Sequence, residues 1–199
     1  MHFLPNFSEI EAFYNYFEKL GPQFDLALAT NKGTYFPASI LHIASILDDL
    51  IQKNIVQRRQ YFLDAGSGDG RIVALASAMG FKAFGIEYND DIYSSSVNHI
   101  ENLFEKGLLD KKPNLILGDF LDDEVYSKIK LEFKDFDVIF NFNTQPYQLV
   151  NKICLESTQK TVFIFNSIRQ VLEPNSCLKL IEKEYFQEIH QLLNIYEKV

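Results

Sequence analysis

Basic side chains are the scarcer charge in this sequence: 19 Lys and Arg face 27 Asp and Glu, for a formal charge of -8. Neutralisation of phosphates by Lys and Arg dominates the grip of proteins on duplex nucleic acid. The balance therefore argues against strong non-specific binding of that kind, while leaving room for a local basic patch. Cysteine is scarcer still. Cys154 and Cys177 match neither a disulfide framework nor a metal-ligand spacing, so the expectation is two reduced core thiols in a cytoplasmic protein, with no metal site. Tryptophan is absent, and the aromatic content rests on 18 Phe and 10 Tyr, which serve core packing more often than ligand stacking. No run of about 18 apolar residues exists, so no membrane span is expected. Met1-His2-Phe3-Leu4-Pro5-Asn6 lacks the basic start and long apolar run of a secretory signal. There is no internal repeat and no low-complexity tract.

What is present fits one domain of ordinary size: 199 residues, 47% of them hydrophobic, enough to bury a core without staples. Residues 6–20 place Phe7, Ile10, Phe13, Tyr14, Phe17 and Leu20 at helical spacing, and Gly21-Pro22 stops that helix. A loop through Asn31 to Pro37 leads to a second helix over 38–53, with Ile40, Ile43, Ala44, Leu47 and Leu50 on one face. From Tyr61 the rhythm changes. Strand-length apolar runs at 61–63, 83–86, 115–117, 136–140 and 161–165 alternate with helical stretches at 72–76, 91–106, 122–132 and 149–155. That alternation predicts a parallel sheet covered on both faces, with right-handed crossovers. Two extended segments, 178–186 and 191–196, break it and read as an antiparallel pair closing one sheet edge. The expected architecture is an α/β Rossmann-like three-layer α/β/α sandwich. Its seven-stranded sheet is mostly parallel with a C-terminal antiparallel hairpin, and N-terminal helices precede it.

Ligands of open parallel sheets bind beyond the carboxyl ends of the strands. Asp64, Glu87, Asp119 and the Asn141-Phe142-Asn143 segment all fall at such ends. The sharpest feature is the loop after the first strand, Asp64-Ala65-Gly66-Ser67-Gly68-Asp69-Gly70. Gly66 suits a tight turn, Gly68 a close ligand approach, and Gly70 close packing of the next helix. The spacing is Gly-x-Gly-x-Gly, with Arg71 where a dinucleotide fingerprint wants its last glycine. Asp69 sets a carboxylate where a pyrophosphate would rest, an unfavourable pairing, so the loop suits a cofactor without phosphate. Glu87 follows Asp64 by 23 positions, where a carboxylate accepts hydrogen bonds from a ribose diol.

The run from Phe62 to Asn89, Phe-Leu-Asp-Ala-Gly-Ser-Gly-Asp-Gly-Arg through Gly-Ile-Glu-Tyr-Asn, resembles the class I (seven-strand) S-adenosylmethionine methyltransferases. With Tyr35-Phe36-Pro37-Ala38 upstream, Gly-Ser-Gly-Asp-Gly-Arg-Ile-Val is similar to a narrower group. These are the small archaeal and mitochondrial protein-lysine methyltransferases, related to the histone methyltransferases of the disruptor-of-silencing type. The resemblance implies a methyltransferase domain over 55–199 and an N-terminal helical extension or lid over 1–54. It implies S-adenosylmethionine as cofactor, with Asp64 approaching the methionine amino group and Gly66, Ser67, Gly68 and Gly70 forming the floor. Glu87 would bind the ribose, Tyr88 would lie beside the adenine, Asp119 would accept from the adenine amino group, and Phe120 would lie against its ring. Tyr35, closing over the methionine end, and Asn141 and Asn143, contacting methionine or acceptor, are the catalytic candidates.

Amino-methylating nucleic-acid enzymes of this superfamily carry Asn/Asp-Pro-Pro-Tyr/Phe after the fourth strand. Here Asn143-Thr144-Gln145-Pro146-Tyr147 has one residue too many and one proline too few. A protein lysine is the leading acceptor. RNA, DNA or a small molecule is the alternative, and a catalytically lapsed scaffold a third reading. Methyl transfer from a sulfonium needs no metal and no covalent intermediate, only an in-line acceptor and exclusion of water. Tyr35, Phe36, Phe142 and Tyr147 are plausible walls for a desolvated lysine. His2, His42, His99 and His190 share no motif, Ser94-Ser95-Ser96 reads as helix surface, and Asp122-Asp123-Glu124 fits an acidic first helical turn. Oligomeric state is not encoded in any of these features.

Overall fold

The computed structural model describes residues 7–19, 28–30, 33–168, 172 and 176–199. Helix α1 (Phe7–Glu18) is followed by a two-stranded antiparallel ribbon, β1 (Leu28–Thr30) and β2 (Gly33–Tyr35). The ribbon corrects the expectation of a plain loop at 31–37, because backbone pairing of Thr30 with Gly33 needs no apolar periodicity to declare it. Helix α2 (Ile40–Gln52) then leads into alternating strands and helices. These are β3 (Tyr61–Ala65), α3 (Arg71–Ala78), β4 (Lys82–Glu87), α4 (Asp90–Glu105), β5 (Asn114–Leu117), α5 (Asp123–Ser127), β6 (Val138–Phe142), α6 (Pro146–Glu156) and β7 (Val162–Ser167). The hairpin β8 (Leu178–Phe186) and β9 (Gln191–Lys198) follows.

The sheet order is β5-β4-β3-β6-β7-β9-β8, parallel from β5 to β7, with β9 antiparallel to both neighbours. The order reverses between β3 and β6, so the carboxyl ends of those strands border the crevice where such sheets take ligands. Two cores flank the sheet. On one face α1 to α4 pack Phe13, Phe17, Ile43, Leu47, Leu75 and Leu103 against Phe62, Phe140 and Ile164. On the other, α5 and α6 pack Tyr126, Leu149 and Ile153 against Leu63, Ile86, Phe163 and Phe165. Helices α1 and α2 share a core with α3 and the sheet.

Local chemistry sets several boundaries. Asn89 caps α4, its side chain accepting from the Ile92 N–H at 3.0 Å, with Asp90 and Asp91 in the first turn. Pro146 opens α6 at a position where its missing N–H costs nothing, three residues ahead of the expected start. Asp122 caps α5, in line with an acidic first turn, but the helix expected over 122–132 ends at Ser127. Lys130 adopts φ +57°, and the chain closes back through Leu131 N–H to the Tyr126 carbonyl before a single 3-10 turn, Phe133–Asp135.

Cys154 and Cys177 are joined in a disulfide with Cα atoms 5.6 Å apart, which corrects the expectation of two reduced thiols. The bridge ties the end of α6 to the start of β8 over a separation of 23 residues, a constraint on the unfolded chain of about 3 kcal/mol. Sequence spacing could not reveal it, because the two thiols meet only after β7 has crossed the sheet.

Candidate functional site

The site is built on the turn that leaves β3. Gly66 and Gly70 hold φ of +86° and +82°, a conformation that side chains resist. The Gly66 and Ser67 N–H groups both donate to the Ile86 carbonyl at 3.0 Å, folding the loop back over β4. β4 makes room with Gly85: a Cβ there would stand 2.8 Å from Ser67 Cβ. Under the loop a Cβ on Gly70 would stand 3.2 Å from Ser96 Cβ, so Ser96 is fully buried rather than on the helix surface as expected. Its hydroxyl donates to the Tyr93 carbonyl, and Ser95 meets His99 at 3.3 Å.

Glu87 locks this arrangement. One carboxylate oxygen accepts from Gly68 N–H at 2.9 Å and the other from Asn89 N–H at 2.8 Å, joining loop and α4. A carboxylate has about four lone-pair sites, so each oxygen keeps capacity for a diol hydroxyl. Asp64, 2% exposed, lies in the floor. Burial, reinforced by the nearby Glu87 and Asp69 charges, pushes its carboxyl well above the usual carboxylate range, against the pull of the Val73 N–H.

Asp69 corrects one step of the electrostatic reading. Its carboxylate lines the same cleft as Asp64 but is not a bare charge: it is 2% exposed and paired with Arg71, Nη2 to Oδ2 at 2.7 Å and Nε to both oxygens. The guanidinium carbon sits 5.1 Å from the Phe17 ring centroid, which seats α1 against the back of the loop. Of the neighbouring carboxylates, Asp69 has this internal cation, whereas Asp64 has, among the described residues, the Val73 backbone N–H. A small cation beside Asp64 would relieve the strain of its burial.

The remaining sequence candidates divide. Tyr88 is 48% exposed at the rim beside Glu87. Asp119 accepts from Leu121 N–H at 3.0 Å at the end of β5, while Phe120 is 4% exposed within the second core, its carbonyl accepting from Tyr126. Tyr35 ends β2, and its side chain lies outside the described residues. Asn141, fully buried, donates to the Ala65 and Thr144 carbonyls at 2.7 and 3.1 Å and accepts from Thr144 N–H at 3.1 Å. That amide is spent on holding the β6 loop against β3 and leaves little for a ligand. Asn143 is exposed with φ +51°. His42, His99 and Ser39 make structural contacts, Tyr16 and Ser95 holding the two ring nitrogens of His99. Among the described residues no cluster of potential metal ligands occurs, and no helix is long and apolar enough to cross a membrane.

Phe36, Phe140, Phe142 and Thr144 wall the cleft above Gly66, which is open to solvent. The Phe36 and Phe142 rings lie 6.4 Å apart. Arg71 belongs to the glycine-loop motif, but its pairing with Asp69 and the place of Thr144 in the cleft carry no local sequence signal.

The sequence profile of the family described as "Histone methylation protein DOT1" matches residues 41–189, about three quarters of the chain. The chain belongs to the DOT1 family. Like that family it is an S-adenosylmethionine-dependent methyltransferase, and the buried carboxylate of Asp64 and the diol-ready Glu87 fit an aminoacyl cation joined to a ribose. No curated protein matches the sequence significantly. Solved structures share the fold of this DOT1-family chain. The rRNA methyltransferase aviRa from Streptomyces viridochromogenes superposes with TM-score 0.61 at 10% identity, covering 90% of this chain and 92% of its own. Magnesium protoporphyrin IX methyltransferase from Synechocystis gives 0.59 at 10%, covering 80% and 83%. An RNA methyltransferase from Salinibacter ruber in complex with S-adenosyl-L-homocysteine gives 0.54 at 17%, covering 77% and 90%.

Proposed function

We propose that the methyl acceptor of this DOT1-family enzyme is the side-chain amine of a protein lysine. The observation that supports it best is the aromatic wall at the methionine end, Phe36, Phe140 and Phe142, set directly over the loop floor. A free lysine has a pKa of about 10.4, and the amine must shed its proton before it can attack. An apolar, water-poor slot disfavours the ammonium and so supplies the nucleophile without a dedicated base. The net charge of -8 attracts a basic polypeptide and repels a phosphate backbone, and the family description names protein methylation. In this reading Asp64 takes the methionine ammonium and Gly66, Ser67, Gly68 and Gly70 carry the cofactor. Glu87 takes the ribose, and Tyr88, Asp119 and Phe120 border the adenine. Tyr35, within the 1–54 segment, covers the methionine end, and Asn143 lies at the acceptor rim.

The test is transfer of tritiated methyl from S-adenosylmethionine to core histones, to total RNA and to a low-mass extract, with Phe142→Ala beside the wild type. The expected result is radioactive methyl-lysine in protein, reduced about tenfold or more in the variant. Label in RNA, the substrate named for two of the structures that share this fold, or in small molecules would overturn the lysine acceptor. Cofactor binding with no label in any fraction would favour a lapsed scaffold.

A further inference from the structure

Asn166 is fully buried at the carboxyl end of β7, yet its Oδ1 has no hydrogen-bond partner. A buried, unsatisfied carbonyl is costly, about 1–3 kcal/mol, and native proteins rarely retain one without a use. Its position is informative. Successive strand residues point to opposite faces, and Val162 and Ile164, of the same parity, lie in the core under α1 to α4. Asn166 therefore faces the side on which Phe36, Phe140 and Phe142 wall the cleft. Its backbone partner across the ladder is Phe142 itself, one strand spacing of about 4.8 Å away.

The orientation of the amide follows from its other prong. Nδ2 donates to Oε1 of Gln191, at the start of β9, at 2.9 Å. β9 lies on the far side of β7 from β6. With its nitrogen held toward β9, the carbonyl oxygen is left on the β6 side, next to Phe142 and behind the residues that line the cleft. We propose that Asn166 is a further acceptor-binding residue: its Oδ1 receives an N–H of the nitrogen being methylated and turns that nitrogen's lone pair toward the methyl group. In the step itself the nitrogen lone pair forms the new N–C bond as the C–S bond breaks. The sulfur keeps the bonding electrons and becomes a neutral thioether, and the positive charge passes to nitrogen. A carbonyl dipole aimed at that N–H stabilises the growing charge.

This inference rests on the methyltransferase chemistry and on a nitrogen acceptor, but its test needs no acceptor molecule. Sinefungin carries a primary amine where S-adenosylmethionine carries its methylsulfonium group, and S-adenosylhomocysteine has nothing at that position. Calorimetric titration of wild type, Asn166→Leu and Asn166→Asp with both ligands reads the ratio of their affinities. The expected wild-type ratio favours sinefungin about tenfold or more, as for a hydrogen bond to a charged donor. Asn166→Leu, matched in size and free of the orphan oxygen, should hold or raise Tm, leave S-adenosylhomocysteine affinity within twofold and bring the ratio near one. Asn166→Asp keeps an oxygen there and should keep the preference, so it serves also if the leucine variant folds poorly. A wild type without preference, or a leucine variant with an unchanged ratio, overturns the assignment. Methyl label in RNA would sink the lysine acceptor and leave this ratio untouched, so the two failures are distinguishable.

Discussion

The two halves of the carboxyl edge differ in how completely they are bonded. At the ends of β3 and β4, Glu87 clamps Gly68 and Asn89, Arg71 neutralises Asp69, and the loop N–H groups are seated on Ile86; Ser67 Oγ is the exception without a partner. At the ends of β6 and β7, Asn143 and Gln145 take left-handed backbone conformations without being glycine, with φ of +51° and +46°. Gln145 Nε2 and Asn166 Oδ1 are buried there without partners. Backbone strain and orphaned polar groups each cost of order 1–3 kcal/mol and persist where function needs them. On the proposed reading the cofactor half is preorganised by its own contacts, whereas the acceptor half is completed by what binds.

The largest expected effect comes from breaking the bonded half. Arg71→Met leaves the 2% exposed Asp69 charge without its cation and should cost about 3–5 kcal/mol of stability in urea denaturation. A loss below about 1 kcal/mol would mean that Asp69 finds another partner and that the half is not so rigidly wired.

Asp64→Asn sharpens the contrast between stability and binding. The folded carboxyl titrates above its unfolded value, so its ionisation opposes folding at neutral pH, and that cost fades as pH falls through the raised pKa. The asparagine variant should therefore melt higher than wild type at neutral pH and lose that acid-side gain. Its affinity for S-adenosylmethionine should drop roughly 10- to 100-fold, as for loss of a charge-assisted hydrogen bond. Wild-type affinity should itself weaken on acidification through the same window, since in the proposed reading the methionine ammonium pairs with the ionised carboxylate. A variant that binds cofactor normally would remove Asp64 from the site.

Asn141→Ala gives the smallest effect, about 1–2 kcal/mol, from loss of its bonds to Ala65 and Thr144. Methyl transfer should slow as the β6 loop loosens, while cofactor affinity stays within about threefold. A cofactor defect as large as that of Asp64→Asn would erase the division between the halves.

Much of this was legible in the chain. The βα alternation, the glycine loop and the spacing from Asp64 to Glu87 are local or periodic signals, and a mostly parallel sheet closed by an antiparallel hairpin followed from them. The helix expected over 122–132 failed because Lys130 turns left-handed, a choice made by the packing of Tyr126, Phe133 and Phe136 rather than by residue type. Asn141 was a reasonable ligand candidate by position, but its amide is satisfied by Ala65, 76 residues away, which no local pattern encodes.

By itself the sequence determined the strand ends and the residues that stand on them, because hydrophobic period and glycine placement act over a few neighbours. Tertiary structure alone decided what those residues meet. It paired Asp69 with Arg71 and seated that guanidinium on Phe17, joined Cys154 to Cys177, and set Asn166 beside Phe142 with its nitrogen committed to Gln191. Hydrogen bonds, ion pairs and disulfides depend on distance in space, and the chain must fold before residues far apart in sequence can satisfy one another or leave a carbonyl free.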